Sequence, residues 1–206
     1  MDIPIRLTAI LLILGGTVFL IGAVFWLMDF QQSLEKTLPV IVQRRKRWMW
    51  IHGWMIPGVV LTAVALFVLR DRMMVSGETM WSTLMAVLFL IGVVPVICML
   101  TFRITVMDQA ASAFVRTGVM PAGFESLHLW SVSLYAVHMV LSYLASFFLG
   151  LAAFSGGFFP NWFAWTAVVF GASGTLGFIL MRGGPFAPPI LVHVIPLMAG
   201  IVLLFV

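Results

Sequence analysis

Six long apolar runs follow one another along this chain and leave few residues for anything else. They cover about residues 7–28, 48–69, 80–102, 127–149, 162–181 and 188–206. A helix that rises ~1.5 Å per residue needs about 20 apolar residues to cross ~30 Å of hydrocarbon. The sequence therefore predicts an all-α fold, a polytopic integral membrane bundle of six transmembrane helices that forms a single membrane domain over residues 1–206.

The composition agrees with this class. The chain is 63% hydrophobic and 9% charged, whereas soluble domains average roughly 45–50% apolar and about 25% charged residues. The two stretches between runs that are longest, 29–47 and 103–126, are too short for a folded soluble domain. The second contains "MDQAASAFVRTG", which predicts a short interfacial helix that ends at Gly118. The function is therefore expected in the membrane, with the lipid bilayer as the first partner.

The basic residues predict the orientation of the bundle. Short loops that are rich in Lys and Arg stay in the cytoplasm. The loops after the first, third and fifth runs carry Lys36, Arg44, Arg45, Lys46, Arg47, Arg103, Arg116 and Arg182, and the other side carries Arg6, Arg70 and Arg72. This asymmetry predicts both termini outside and the Arg44–Arg47 cluster in the cytoplasm, in a bacterial plasma membrane. It also accounts for the net charge of +4 without a nucleic-acid partner.

The stretch "RWMWIHGWMIP" places His52 among Trp48, Trp50 and Trp54 at the start of the second run. Tryptophans at this depth are typical of an aromatic belt at the lipid headgroups. His52 has two interpretations. It can extend towards the headgroups, as amphipathic side chains do near a membrane boundary, or it can serve as a ligand.

One stripe of the fourth run is polar from end to end. At the helical spacing of three and four residues, one face collects His128, Ser131, Tyr135, His138, Ser142 and Ser146. In hydrocarbon such a stripe must face protein or water, because unpaired polar groups are costly there. Two interpretations remain open: a seam of hydrogen bonds between helices, or a path for a cofactor, an ion or protons.

The candidate cofactor-binding residues come from this stripe and from neighbouring helix ends. They are His52, His128, His138, His193, Tyr135 and Arg103. Two imidazoles from different helices can ligate a haem b, and a phenol, an imidazole and a guanidinium can hydrogen-bond the carbonyls of a quinone. No catalytic residue and no metal site is predicted, since "HExxH" is absent and Cys98 is a single cysteine.

These residues lead to one expected function and two alternatives. The first is a cofactor-associated subunit, with haem or quinone, or an accessory subunit of a membrane redox complex. A purely structural subunit is the first alternative, and a small-molecule or proton-linked carrier is the second. Gly171, Gly174 and Gly177 form a face of small residues that predicts close helix packing. That face can serve a larger complex or a homo-oligomer.

Overall fold

The computed structural model describes residues 3–30, 33–181 and 184–205, and in these ranges the chain is helical, without a strand. Arg182, one of the charges counted for the orientation, lies outside the described residues. The α-helices are α1 Ile3–Phe30, α2 Leu34–Gln43, α3 Arg45–Val75, α4 Met80–Phe102, α5 Asp108–Thr117, α6 Phe124–Gly156, α7 Asn161–Leu180 and α8 Leu191–Leu203. A π-helical turn, Arg103–Met107, joins α4 to α5, and a 3-10 turn, Gly184–Phe186, precedes α8.

In the described ranges, five helical segments are long and apolar enough to cross a membrane, as expected for an integral membrane protein. They are Ile5–Trp26, Arg45–Val75, Met80–Thr117, Phe124–Gly156 and Asn161–Leu180. The last apolar run instead forms α8, a helix of 13 residues, which is about 20 Å long. The all-α prediction is confirmed, and the sixth full-length span is not.

The long helices pack in a defined order. The first helix, α1, lies against α3 and α8, α3 against α4, α4 against α6, and α6 against α7. Gly200 of α8 meets Ala9 and Leu12 of α1, so close that a Cβ there would lie 2.9 Å from the Ala9 oxygen. The N-terminal end of α1 and the C-terminal end of α8 therefore lie at the same end of the bundle. We call this the terminal end of the bundle and the opposite end, which carries Arg45 and Arg103, the basic end.

Two short amphipathic helices cover the basic end. The helix predicted from "MDQAASAFVRTG" is α5, and it ends at Gly118, whose φ of 70° is left-handed. It packs on α2, a helix that the sequence pattern does not predict. Arg45 donates to Asp108 at 2.6 Å, which ties the first turn of α3 to the start of α5. The two loops thus form a helical layer.

The antiparallel contact of α6 and α7 fixes where α7 ends. A Cβ on Gly171 would lie 2.3 Å from the Phe147 nitrogen. Leu180 is nine residues after Gly171, and His138 is nine residues before Phe147, so the end of α7 is level with His138. Ile91 is the middle residue of α4 and Gly92 follows it; His138 contacts Gly92. The helix α7 therefore ends about midway along the bundle.

The connection between α7 and α8 lies beside α6 within its apolar length. Tyr143 donates a hydrogen bond to the Phe186 carbonyl at 3.0 Å, and Tyr135 donates one to the Ala187 carbonyl. From this level α8 runs back to the terminal end, which explains why it is short. The last apolar run was predicted as a full span because periodicity and length cannot show a connection that turns inside the bundle.

The glycine face of α7 is filled within the chain. Gly171 meets the backbone of Phe147, and Gly174 would place a Cβ 2.2 Å from the ring of Tyr143. A Cβ on Gly177 would lie 2.3 Å from the ring of Phe186. The close packing predicted for these glycines is therefore used by α6 and by the α7–α8 connection.

Candidate functional site

The six candidate residues divide into two groups at different depths. His52, Arg103, His128 and Tyr135 lie towards the basic end, where the charge of Arg103 acts on the other three. The second group comprises His138 and His193, near the middle of α4. His193 does not lie level with His52 and His128, because α8 begins about midway along the bundle and carries His193 with it.

The π-helical turn places Arg103 in the first group. Such turns add a residue to a helix and are frequent at functional sites. Trp48 fixes the turn, since its indole N–H donates to the Arg103 carbonyl at 2.9 Å. The guanidinium group lies 4.8 Å from the ring centre of Trp26, a cation–π contact. Arg103 is thus held from two sides, by its backbone and over an aromatic face.

The hydrogen bonds of His52 determine its tautomer. Its Nδ1 lies 2.9 Å from the Trp48 carbonyl, and a carbonyl can only accept, so Nδ1 carries the hydrogen. Nε2 lies 3.4 Å from Nη1 of Arg103, which can only donate, so Nε2 accepts. Both nitrogens are engaged and the ring is neutral. The geometry therefore makes His52 a residue that positions Arg103.

The aromatic-belt and headgroup interpretations hold for only part of the stretch "RWMWIHGWMIP". Trp50 and Trp54 are exposed, as expected for belt residues. Trp48 is 1% exposed and His52 has no exposed surface, so the belt prediction for Trp48 and the headgroup prediction for His52 are wrong. The reason is local: the side chain of Trp48 packs inward onto the π-helical turn, and His52 follows it one helical turn later.

His128 and Tyr135 lie on α6, near Arg103, and both are half-buried. The ring of His128 stacks on Phe124 with 6.1 Å between ring centres. Its Nδ1 is buried and has no hydrogen-bond partner among the described residues. Tyr135 uses its hydroxyl hydrogen on the Ala187 carbonyl, which leaves only the oxygen lone pairs for another contact. His128 is therefore the freer of the two.

Arg103 has no carboxylate partner among the side chains that the structure describes. In that part of the chain, Asp108 pairs with Arg45 and Asp71 pairs with Arg70. Arg103 instead meets an imidazole and an indole face. A guanidinium carries five donors in a fixed fork and requires acceptors when it is removed from water. The site can therefore bind a ligand with acceptor oxygens.

The second group joins α6 and α8 in the centre of the bundle. The rings of His138 and His193 have centres 6.1 Å apart and planes inclined by 35°. Both side chains have no exposed surface. Nδ1 of His138 lies 2.9 Å from the Gly92 carbonyl, and the His193 ring stacks on Phe19 at 3.7 Å. These two rings contact protein on all sides.

The polar stripe of α6 faces the protein as predicted, but its serines do not form a seam. Ser131, Ser142 and Ser146 are buried. The hydroxyl of Ser146 donates to the Ser142 carbonyl of the same helix at 3.0 Å, and the Ser142 hydroxyl lies 3.3 Å from Nδ1 of His138. Among the described residues of the stripe, His138 bonds to another helix, at the Gly92 carbonyl of α4. The seam interpretation therefore rests on one histidine.

An apolar cavity of about 410 Å³ lies elsewhere on α6. It is bordered by the end of α7. At 100° per residue its α6 residues lie on the side opposite Tyr135 and His138. The cavity is lined by Ala136, Val137, Val140, Leu141, Phe178 and Ile179. It offers no polar side chain to a ligand and belongs to neither group.

Sequence reasoning missed the residues that hold both groups in place. Trp48 was assigned to the belt, although its spacing of four from His52 puts both on one helix face. Gly92 and Phe19 carry no signal in the sequence that relates them to a histidine. Their roles follow from the packing of α1 and α4 against α8 and α6.

Comparisons with known proteins give no match. No family model, no curated protein and no solved structure is significantly similar to this chain. The function is therefore argued from the geometry of the two groups.

Proposed function

We propose that this chain is a quinone-binding subunit of a membrane redox assembly, with Arg103 as the residue that holds the quinone head group. The five long apolar helices support a place in the membrane. The observation that carries the proposal is the arginine itself, which the π-helical turn presents with no carboxylate among the described side chains.

The chemistry around Arg103 suits an uncharged, acceptor-rich ring better than an ion alone. The guanidinium donates, and Nδ1 of His128 is a further unpartnered ring nitrogen in the same group. Trp26 adds an aromatic face, on which a planar head group can stack. A quinone offers two carbonyl acceptors and an apolar tail that remains in the bilayer. Tyr135 contributes from its position one turn before His138, by fixing the α7–α8 connection beside the site.

The orientation and the number of spans are part of the same proposal. We infer that the basic end, with the Arg44–Arg47 cluster, faces the cytoplasm of a bacterial cell, which the charge asymmetry supports. The sixth apolar run contributes α8, which covers the half of the bundle between His138 and the terminal end. Both termini then lie outside.

Binding of a short-chain benzoquinone to the purified protein tests this function. Decylubiquinone quenches tryptophan fluorescence, and Trp26 lies against the proposed site. We expect saturable quenching for the wild type and an affinity about 10–100-fold lower for Arg103→Gln, because one hydrogen bond to a charged group contributes about 1.5–3 kcal/mol. Arg70→Gln is the matched control, since Arg70 pairs with Asp71 at the other end of α3.

Two results contradict the proposal. Equal quinone affinity in the wild type and Arg103→Gln would show that Arg103 does not bind the quinone. Displacement of the quinone by anionic phospholipid in vesicles, at concentrations where a zwitterionic lipid has no effect, assigns the guanidinium to a lipid phosphate group. In either case the assembly role loses its support.

A further inference from the structure

The histidine pair in the centre of the bundle leaves most of its hydrogen-bonding capacity unused. Among the buried atoms without a partner in the described residues are Nε2 of His138 and both ring nitrogens of His193. The two rings are 6.1 Å apart between centres and have no exposed surface. Buried polar groups are almost always hydrogen-bonded or bound to something, so three orphaned nitrogens in one place point to a ligand.

The hydrogen bond of His138 leaves a lone pair on its free nitrogen. Nδ1 faces the Gly92 carbonyl at 2.9 Å, and because a carbonyl only accepts, Nδ1 carries the hydrogen. In the neutral ring, Nε2 is then an unprotonated acceptor. Metal-bound histidines commonly have this arrangement, with the other ring nitrogen donating to a backbone carbonyl.

The ring of His193 is held in place by packing alone. It stacks on Phe19 at 3.7 Å between ring centres and meets the edge of Phe89 at 5.9 Å. Neither ring nitrogen has a polar partner among the described residues. A phenylalanine would fit these aromatic contacts without the cost of burying two polar atoms, so the imidazole is unexplained by packing.

We propose that His138 and His193 bind a soft monovalent cation of the copper(I) class between their ring nitrogens. An ion about 2.0 Å from each of two nitrogens that face it in line holds the ring centres about 6 Å apart, since each nitrogen lies about one ångström from its ring centre. The structure has this spacing, at 6.1 Å. The site joins α6 to α8 and is separate from the Arg103 group.

The surroundings select the charge and coordination of the ion. In the described part of the chain, no group of three or more His, Cys, Asp or Glu residues could hold a metal. Zinc requires four ligands in structural sites, whereas copper(I) accepts two. Both imidazoles are neutral, so a monovalent ion brings the smallest possible charge into the apolar bundle. Neither ring has exposed surface, so no space for a porphyrin lies beside them.

A short non-helical segment precedes α8 and lies close in sequence to His193. Residues 187–190 lie between the 3-10 turn and α8, and His193 follows in the first helical turn. Irregular backbone inside a membrane bundle is found where it is buried in protein or lines a polar cavity. Tyr135 donates to the Ala187 carbonyl of this segment, and Tyr143 donates to the Phe186 carbonyl in the preceding 3-10 turn.

Silver(I) is a redox-stable probe for this site. The detergent-purified protein is treated with a chelator, incubated with Ag(I), desalted and analysed by elemental mass spectrometry. All variants carry Cys98→Ser, because the exposed thiol of Cys98 would bind Ag(I) itself. We expect about one Ag(I) per chain, lost in His138→Gln and His193→Phe with an affinity decrease at least as large as the 10–100-fold typical of second-shell changes.

A matched control separates the pair from histidines in general. His128 lies on the same helix as His138, about 15 Å away, and His128→Ala should retain the ion. Copper(I) loaded under reductant should show nitrogen ligands at about 2.0 Å by X-ray absorption. His193→Phe keeps the aromatic contacts with Phe19, so a folded variant is available even if His138→Gln is unstable.

Three results would overturn the proposal. They are a folded wild type that binds no Ag(I), an equal loss of Ag(I) in His128→Ala, and full retention in both pair variants. Binding of Zn(II) as tightly as Ag(I) would overturn the monovalent preference. None of these results affects the quinone proposal, since quinone binding is measured on metal-free protein and depends on Arg103.

Discussion

The two buried histidine sites of this protein differ in how completely their nitrogens are used. His52 has a donor bond to Trp48 and an acceptor bond from Arg103. His138 and His193 are equally buried, but three of their four nitrogens have no partner among the described residues. Burial alone therefore does not separate a structural histidine from a candidate ligand. The two kinds of histidine are separated by whether each ring nitrogen has a hydrogen-bond partner.

The surroundings of the two sites differ in the same way. At the basic end, Gly53 has open space beside it, and Arg103, His128 and Tyr135 are half-buried. In the centre, the rings are enclosed by aromatic side chains. An open site with a satisfied histidine suits a ligand that exchanges with the bilayer, and a closed site with orphaned nitrogens suits a single ion.

The largest expected difference in stability is between alanine substitutions at two glycines of α3, one in the centre of the bundle and one at the basic end. A Cβ on Gly58 would lie 2.7 Å from the Phe19 nitrogen, whereas a Cβ on Gly53 would meet nothing within 4 Å. Gly58→Ala should lower the free energy of unfolding by about 1–3 kcal/mol through overpacking. Gly53→Ala should raise it by about 0.5–1 kcal/mol, because alanine favours the helix.

Unfolding in increasing fractions of sodium dodecyl sulfate, followed by tryptophan fluorescence, measures both changes. Equal effects of the two substitutions would show that the basic end is as closely packed as the centre, and the comparison would fail.

Replacing one histidine from each site tests whether the two replacements change the free energy of unfolding in opposite directions. His52→Leu leaves Arg103 without its acceptor and should lower the free energy of unfolding by about 1–2 kcal/mol. His193→Phe in chelator-treated protein removes two orphaned nitrogens and should raise it by up to about 1 kcal/mol. Thermal unfolding in detergent gives both values. A loss of stability in metal-free His193→Phe would mean that its nitrogens already have partners.

The hydroxyl of Tyr135 marks the border between the two sites and provides the smallest effect. Tyr135→Phe removes its bond to Ala187 and should cost about 0.6 kcal/mol, the average for such bonds in membrane proteins. Ser133→Ala is the control, because the exposed Ser133 hydroxyl bonds within its own helix, to Leu129. The same unfolding assay applies, and equal values for the two variants would show that the connection is held without Tyr135.

Much of the helical architecture could be predicted from the sequence, and the site could be predicted only in its residue types. The apolar runs and the helix that ends at Gly118 follow from composition and local spacing, which depend on neighbours along the chain. The histidines are candidates because ionisable side chains are costly to bury in apolar segments and usually mark a functional site there. Their division into two groups was not predictable, since it depends on where α7 stops relative to α6.

The sequence by itself determined that this is a helical protein with long apolar segments and that its few polar side chains lie on defined faces. Only the tertiary structure decided what those side chains do. It buried Trp48 and His52 against Arg103, filled the glycine face with Tyr143 and Phe186, and started α8 in mid-bundle beside His138. The physical reason is that helix formation is a local property, whereas each hydrogen-bond partner comes from a helix distant in sequence.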